Sequence, residues 1–280
     1  MGASKQRWEE VDKWQIPLLV ERVSPGCDEE GARLSCAWLT WLHLFDDQFD
    51  VLGVSHQPSI ARERAKPFLE LLSAQSQHRP VPEQNGGLLK ELVRLNELTV
   101  RRMSPAWCRR WFEDLAEFIG AYAAEVRNRS SGQVPTPDDL IELKHICMCQ
   151  RGAINLLERV LLEELSPAAM ELGRPYIDVV SDVTGGVNDW VSLPKERAIA
   201  DTQNLLLSYM RHGKMTETEA LRKVVTWVEL RWATLLNAIQ VVPSQAASER
   251  DRQALRAWLL ACAQWAYSYH QWVVDSGRLS

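Results

Sequence analysis

The chain has no apolar run approaching the roughly 20 residues that a membrane-spanning helix needs, so no membrane insertion is expected. It has no basic stripe or Lys/Arg-rich tail. Its 32 Lys and Arg are interspersed among 37 Asp and Glu, with a net charge of −5, which argues against nucleic acid as a partner. The first residues, MGASKQRWEEVDKW, lack the apolar stretch of a signal peptide, and Gln6 stands where a myristoylation signal needs Ser or Thr. A soluble cytoplasmic protein is the expectation. Cysteine is sparse: Cys27, Cys36, Cys108, Cys147, Cys149 and Cys262 are scattered, and the one close pair, Cys147 and Cys149, lacks CxxC spacing and points to different sides of a helix, which argues against a zinc site and for reduced, buried thiols. Period-two alternation of β-branched residues is almost absent, as are internal repeats, low-complexity tracts and any linker long enough to separate domains.

What is present is helical. Leu, Ala, Glu, Gln and Arg are abundant, and 12 tryptophans supply large rings that either fill a core or line a cavity. The patterns predict helices over 28–52, 57–74, 88–103, 105–129, 138–164, 175–200, 202–211, 216–240 and 248–275, with residues 1–27 as a short strap turning at Pro25-Gly26. The connections are short, as between antiparallel helices, so residues 1–280 are expected to form one all-α helical bundle.

The stretch WLHLFDDQFD, residues 41–50, ends an apolar helical run in three carboxylates, Asp46, Asp47 and Asp50. Positions i, i+1 and i+4 project to one side of a helix, where three acids repel one another unless a cation joins them. Hard oxygen ligands beside apolar surface suit Mg²⁺ shared with a phosphate group. A second cluster lies at 188–196, NDWVSLPKE, where Asn188, Ser192 and Glu196 are spaced i, i+4 and i+8 on one face, with Lys195 close by. An amide oxygen, a hydroxyl and a carboxylate in that register can chelate a divalent cation, and Lys195 could meet an anion bound to it. Pro194, inside this helix, is expected to bend it and splay Ser192 from Glu196.

Together these stretches resemble the class I terpene synthases of the microbial type. DDQFD matches their aspartate-rich DDxxD motif, NDWVSLPKE matches their NSE motif, (N/D)Dxx(S/T)xxxE, and the interval 188 − 46 = 142 residues also fits. The resemblance spans essentially the whole chain. It implies an all-α bundle around an apolar cavity, three Mg²⁺ ions, and an isoprenyl diphosphate as substrate, with a homodimer as one assembly open to it. Asp46 would ligate Mg²⁺ directly, with Asp47 and Asp50 supporting; Asn188, Ser192 and Glu196 would hold another ion, and Lys195 would touch the diphosphate. The physics is consistent, because a departing diphosphate needs fixed positive charge and the carbocation left behind needs a dry, aromatic-walled space.

Two family features are altered. The diphosphate-sensing arginine falls on Lys144 by spacing, whereas Arg151, seven residues on, has the better chemistry for phosphate. The following linker and effector positions are then Cys147 and Met148, or Ile154 and Asn155 if Arg151 is the sensor. The family's C-terminal Arg-Tyr pair, six residues after a tryptophan, is here Arg278-Leu279 after Trp272. Cavity candidates are Leu39, Leu42 and His43 on the aspartate helix, and Tyr267, Gln271, Trp265 and Trp272 on the last helix. The expected function is cyclisation of a linear isoprenyl diphosphate, with farnesyl diphosphate as the default. Geranylgeranyl diphosphate or a bicyclic diterpenyl diphosphate is the alternative. A chain-elongating prenyltransferase would want a second aspartate-rich motif in place of NDWVSLPKE, and a silent helical scaffold would not need both ligand sets.

Overall fold

Proline and small polar residues punctuate the chain into helices. Ser104-Pro105, Thr136-Pro137 and Ser166-Pro167 each end one segment and begin the next. The hydroxyl accepts an orphan backbone N–H three residues on, from Trp107, Asp139 and Ala169, while the proline occupies a first-turn site that needs no donor. Asp28 caps its helix in the same way, and Thr216 with Glu219 forms a capping box.

The computed structural model describes residues 5–49, 54, 56–81, 86–161 and 163–276. Asp50 and Arg278 lie outside the described residues. The α-helices among them are α1 (Lys5–Lys13), α2 (Ile16–Val23), α3 (Glu29–Asp46), α4 (Pro58–Ser76), α5 (Gly87–Val100), α6 (Pro105–Ser131) and α7 (Pro137–Cys147). They continue with α8 (Gln150–Leu161), α9 (Pro167–Gly173), α10 (Pro175–Ala198), α11 (Leu205–His212), α12 (Glu217–Val241) and α13 (Glu249–Asp275), with a 3₁₀ turn at Val242–Gln245. No strand occurs among the described residues. The all-α expectation holds.

Two apolar cores flank the centre. One packs α4, α5 and α6 against the Trp38, Trp41 and Phe45 side of α3. The other packs α2, α10 and α13 around Leu39 of α3 and Ala153, Ile154 and Leu157 of α8. In the first, Trp38, Trp41, Trp107 and Trp111 are almost wholly buried, and Trp107 stacks on Trp111 with centroids 5.4 Å apart. Each such ring removes enough apolar surface from water to contribute on the order of 4–6 kcal/mol before entropy is charged. Helices α3 and α8 face both cores, so the space between them is where a cavity can open.

The structure differs from the sequence reading at four places. The N-terminal strap is helical, as α1 and α2, with Trp14 buried against α13. The expected 28–52 helix stops at Asp46, leaving Asp47 as its cap. The expected 138–164 helix is two, because Cys149 adopts a left-handed φ of 53° between α7 and α8. No Gly or Pro marks that break, but Gly152 accommodates it: a Cβ there would meet Cys149 Sγ at 3.1 Å. Finally, Pro194 does not splay its neighbours, since Ser192 Oγ sits 2.7 Å from Glu196 Oε1 and α10 runs on to Ala198. Gly186 has its own reason: a Cβ there would lie 2.4 Å from Val228 Cγ2, so the glycine permits the close approach of α12 to α10.

Candidate active site

A cavity of about 230 Å³ opens between the two cores. Helix α3 lines it with Leu39, Leu42, His43 and Asp46, one continuous stripe at helical spacing, while Trp38, Trp41 and Phe45 turn into the core. Helix α6 adds Phe118, Tyr122, Glu125 and Arg129. Helix α10 adds Asn188, Ser192, Lys195 and Glu196, and α13 adds Trp265, Tyr269 and Trp272. Lys144, Cys147 and Met148 enter from the end of α7, where the break turns the chain toward the cavity. The charged groups cluster, since Cys147 feels the charges of Asp46, Glu125 and Lys144, and Lys144 that of Glu196; Leu19, Leu39, Leu42, Ala153 and the tryptophans give the lining its apolar part.

Among the charged groups, Tyr122 donates to Asp46 Oδ1 at 2.9 Å and orients that carboxylate. Burial, with the charges of Asp46 and Glu125 nearby, pushes the Tyr122 phenol well above its usual range, so it remains a donor. Asp47 is half-buried and is not among the residues lining the cavity.

Across the cavity, Asn188 Nδ2 donates to Tyr269 Oη at 3.0 Å, which sets which side of the amide presents its oxygen. Ser192 Oγ lies 2.7 Å from both Asn188 O and Glu196 Oε1, and its single proton can serve one of them at a time. Glu196 Oε2 accepts from Asn204 Nδ2 at 2.7 Å. Burial and then the charge of Asp189 raise the Glu196 pKa to about 7, against the opposing pull of Lys144.

Lys144 and Arg151 do not share a face. The break at Cys149 ends the helical register that their spacing assumed, and they go separate ways. Lys144 runs across Gly185, where a Cβ would be 3.4 Å from its Cδ, and its Nζ meets Asp189 Oδ1 at 2.7 Å. Asp189 is fully buried, and its other oxygen accepts from Leu205 N at 2.8 Å. Burial opposes the Lys144 charge, but Asp189, with Cys147 and Glu196 beyond it, more than offsets that cost, and the ammonium is held charged. Arg151 instead pairs with Glu117 at 2.5 Å and Asp178 at 3.3 Å and does not line the cavity. Ile154 and Asn155 likewise point into packed interior, Asn155 binding Asp114 at 2.8 Å.

Tyr267 is a further correction: it is 53% exposed on the outer side of α13, accepting from Gln271 Nε2. The inward stripe of that helix is Trp265, Tyr269 and Trp272, at i, i+4 and i+7. Trp272 donates to Trp14 O at 2.6 Å, and the His43 ring sits between those of Trp14 and Trp272, with centroids 5.6 and 5.5 Å away. Sequence reasoning missed Tyr122, Glu125 and Arg129 on α6 and Tyr269 on α13. Their helical spacing makes each set one face; nothing in the sequence says which face turns inward.

The donors suit a hard divalent cation. Among the described residues no three His, Cys, Asp or Glu side chains gather into a cage. The α10 set instead mixes amide, hydroxyl and carboxylate oxygens, as oxygen-seeking cations accept.

Residues 37–234 match the model of a family described as "Terpene synthase family 2, C-terminal metal binding". The chain is 27% identical over 275 residues to cycloaraneosene synthase of Sordaria araneosa, covering 96% of this chain and 73% of that protein. It is 23% identical over 287 residues to the 7-epi-alpha-eudesmol synthase of Streptomyces viridochromogenes, named as cyclising (2E,6E)-farnesyl diphosphate, with 98% and 82% covered. The fold is that of the crystal structure of linalool/nerolidol synthase from Streptomyces clavuligerus in complex with 2-fluorogeranyl diphosphate. The TM-score is 0.87 at 22% identity, over 97% of this chain and 92% of that one.

Proposed function

Since this chain belongs to terpene synthase family 2, the microbial-type class I terpene cyclases that act on isoprenyl diphosphates, we propose that it uses Mg²⁺ to ionise and cyclise farnesyl diphosphate, the whole chain acting as one catalytic domain. The observation that carries this is that two oxygen-donor sets, from different helices, line one cavity. Asp46 comes from α3, and Asn188, Ser192 and Glu196 from α10, with Lys144, Lys195 and a set of apolar side chains in the same lining. The ions would be held by Asp46 and Asp50 on one side and by Asn188, Ser192 and Glu196 on the other, three in all by the family pattern. Bound there, they supply the positive charge against which diphosphate departs.

The chain's own residues do the rest. Tyr122 holds Asp46 in one rotamer, and Tyr269 does the same for Asn188. Lys144 and Lys195 bring charge to the diphosphate end. Leu39, Leu42, Phe118, Trp265 and Trp272 exclude water from the hydrocarbon, and the aromatic faces stabilise its positive charge. Farnesyl diphosphate is favoured over the C20 alternatives, geranylgeranyl or a bicyclic diterpenyl diphosphate, by the relative named for cyclising it.

Purified protein incubated with Mg²⁺ and the C10, C15 and C20 diphosphates, with products read by gas chromatography–mass spectrometry, should give a cyclic C15 product. Asp46→Ala and Asn188→Ala should each abolish it while leaving the helical circular dichroism unchanged. Turnover that survives either change, or cyclisation confined to C20 substrates, contradicts the proposal.

A further inference from the structure

A single guanidinium touches the surroundings of both donor sets. Arg129 stands in the last turn of α6, only 9% exposed, and lines the cavity. Its Nε donates to Asp201 Oδ2 at 2.9 Å, and its Nη1 reaches Phe49 O at 3.5 Å, the long end of hydrogen bonding. Phe49 lies in the turn that follows Asp46. Asp201 lies in the α10–α11 connection, five residues past Glu196. The second oxygen of Asp201 accepts from Gln203 N at 3.0 Å, and Asn204, next in the chain, donates to Glu196 Oε2 at 2.7 Å. A nearly continuous line of polar contacts thus runs from the aspartate turn through Arg129 and Asp201 to the far carboxylate.

We propose that Arg129, acting with Asp201, is a positioning residue that holds the aspartate turn of α3 and the connection behind the α10 donors in register across the cavity mouth. The inference rests on the function proposed above and extends it to residues that neither metal motif contains. The residue type fits the task. A planar fork presents donors along separate edges, so one side chain can reach two acceptors on different elements, which a single ammonium on a flexible stem does poorly. Both partners of the ion pair are about nine-tenths enclosed, with side-chain exposures of 9% and 10%, so solvent screens it little. Oxygen donors on opposite walls can share a diphosphate and its cations only if the distance between the walls is kept.

The alternative is that the pair merely fastens α6 to a loop. Stability would then suffer, but ligand binding would not. The test uses the full-length protein titrated with Mg²⁺ in the presence of inorganic diphosphate, read by calorimetry and by the ligand-induced shift in melting temperature, beside steady-state kinetics. Arg129→Gln and Asp201→Asn should each weaken Mg²⁺–diphosphate binding by about tenfold or more, the scale of a charged hydrogen bond. The double variant should be no worse than either single one. Arg129→Lys should recover melting temperature but not affinity. KM should rise and kcat should fall together in all of them. If the glutamine variant does not fold, Arg129→Lys and Asp201→Asn decide. Lowered melting temperature with wild-type affinity for Mg²⁺–diphosphate overturns the inference while leaving the proposed function intact. A wild-type protein that neither binds Mg²⁺–diphosphate nor turns over overturns the proposed function, and this inference with it.

Discussion

Lys144→Met removes the positive half of a pair that has almost no access to water. Asp189 is 0% exposed, and Lys144 Nζ lies 2.7 Å from its Oδ1. The methionine arm still has Gly185 to lie across, so little packing is lost and the change is mainly electrostatic. Stranding one partner of a buried pair costs about 3–5 kcal/mol. With about 2–3 °C of melting temperature per kcal/mol for a domain this large, scanning fluorimetry should show a fall of roughly 6–15 °C. Adding Asp189→Asn removes the stranded charge, keeps an oxygen for Leu205 N, and should restore most of the loss. Kinetics then separate structure from chemistry. If Lys144 also meets the diphosphate, the double variant regains stability but stays about 10²–10³-fold slow in diphosphate release, as when one charge-stabilising donor is removed. Arg151→Gln is the control: its partners Glu117 and Asp178 are partly exposed, so about 1 kcal/mol or less and no loss of turnover are expected. A Lys144→Met melting temperature within about 2 °C of wild type would refute the burial argument. A double variant with full turnover would refute the diphosphate role.

Two further outcomes follow from the same geometry. Tyr122→Phe deletes the donor to Asp46 Oδ1, and the Mg²⁺ concentration for half-maximal rate should rise about tenfold as the carboxylate loses its fixed orientation; an unchanged metal titration would show that the phenol does not position Asp46. Burial raises the thiol pKa of Cys262 well above the usual value and that of Cys27 less, with Asp28 adding to the rise at Cys27. Because a raised pKa leaves less thiolate at a given pH, a disulfide reagent at pH 8 should label Cys27 slowly, faster at pH 9, and Cys262 only after unfolding. Rapid native labelling of Cys262, seen by mass spectrometry, would contradict its placement at 0% exposure.

Much of the architecture can be read from the sequence because its causes are local. Ser-Pro and Thr-Pro pairs start helices by satisfying orphan N–H groups wherever the chain then goes. Spacing on one helix is equally local. Asn188, Ser192 and Glu196 share a face by helical geometry, and Leu39, Leu42, His43 and Asp46 do so on α3. What spacing leaves open is which face of a helix meets which neighbour, and where a helix breaks for reasons other than Gly or Pro. The left-handed Cys149 carries no signal of its own, yet it sends Lys144 into the cavity and Arg151 away from it. Tyr267 and Tyr269 are both plausible inward residues until the packing of α13 turns one outward and the other onto Asn188. Arg129 is 72 residues from Asp201 and 80 from Phe49, so only the folded path of α6 brings it to both. The residues that carry charge along one helix are a property of the chain; the partners that orient them come from other helices, and packing chooses those.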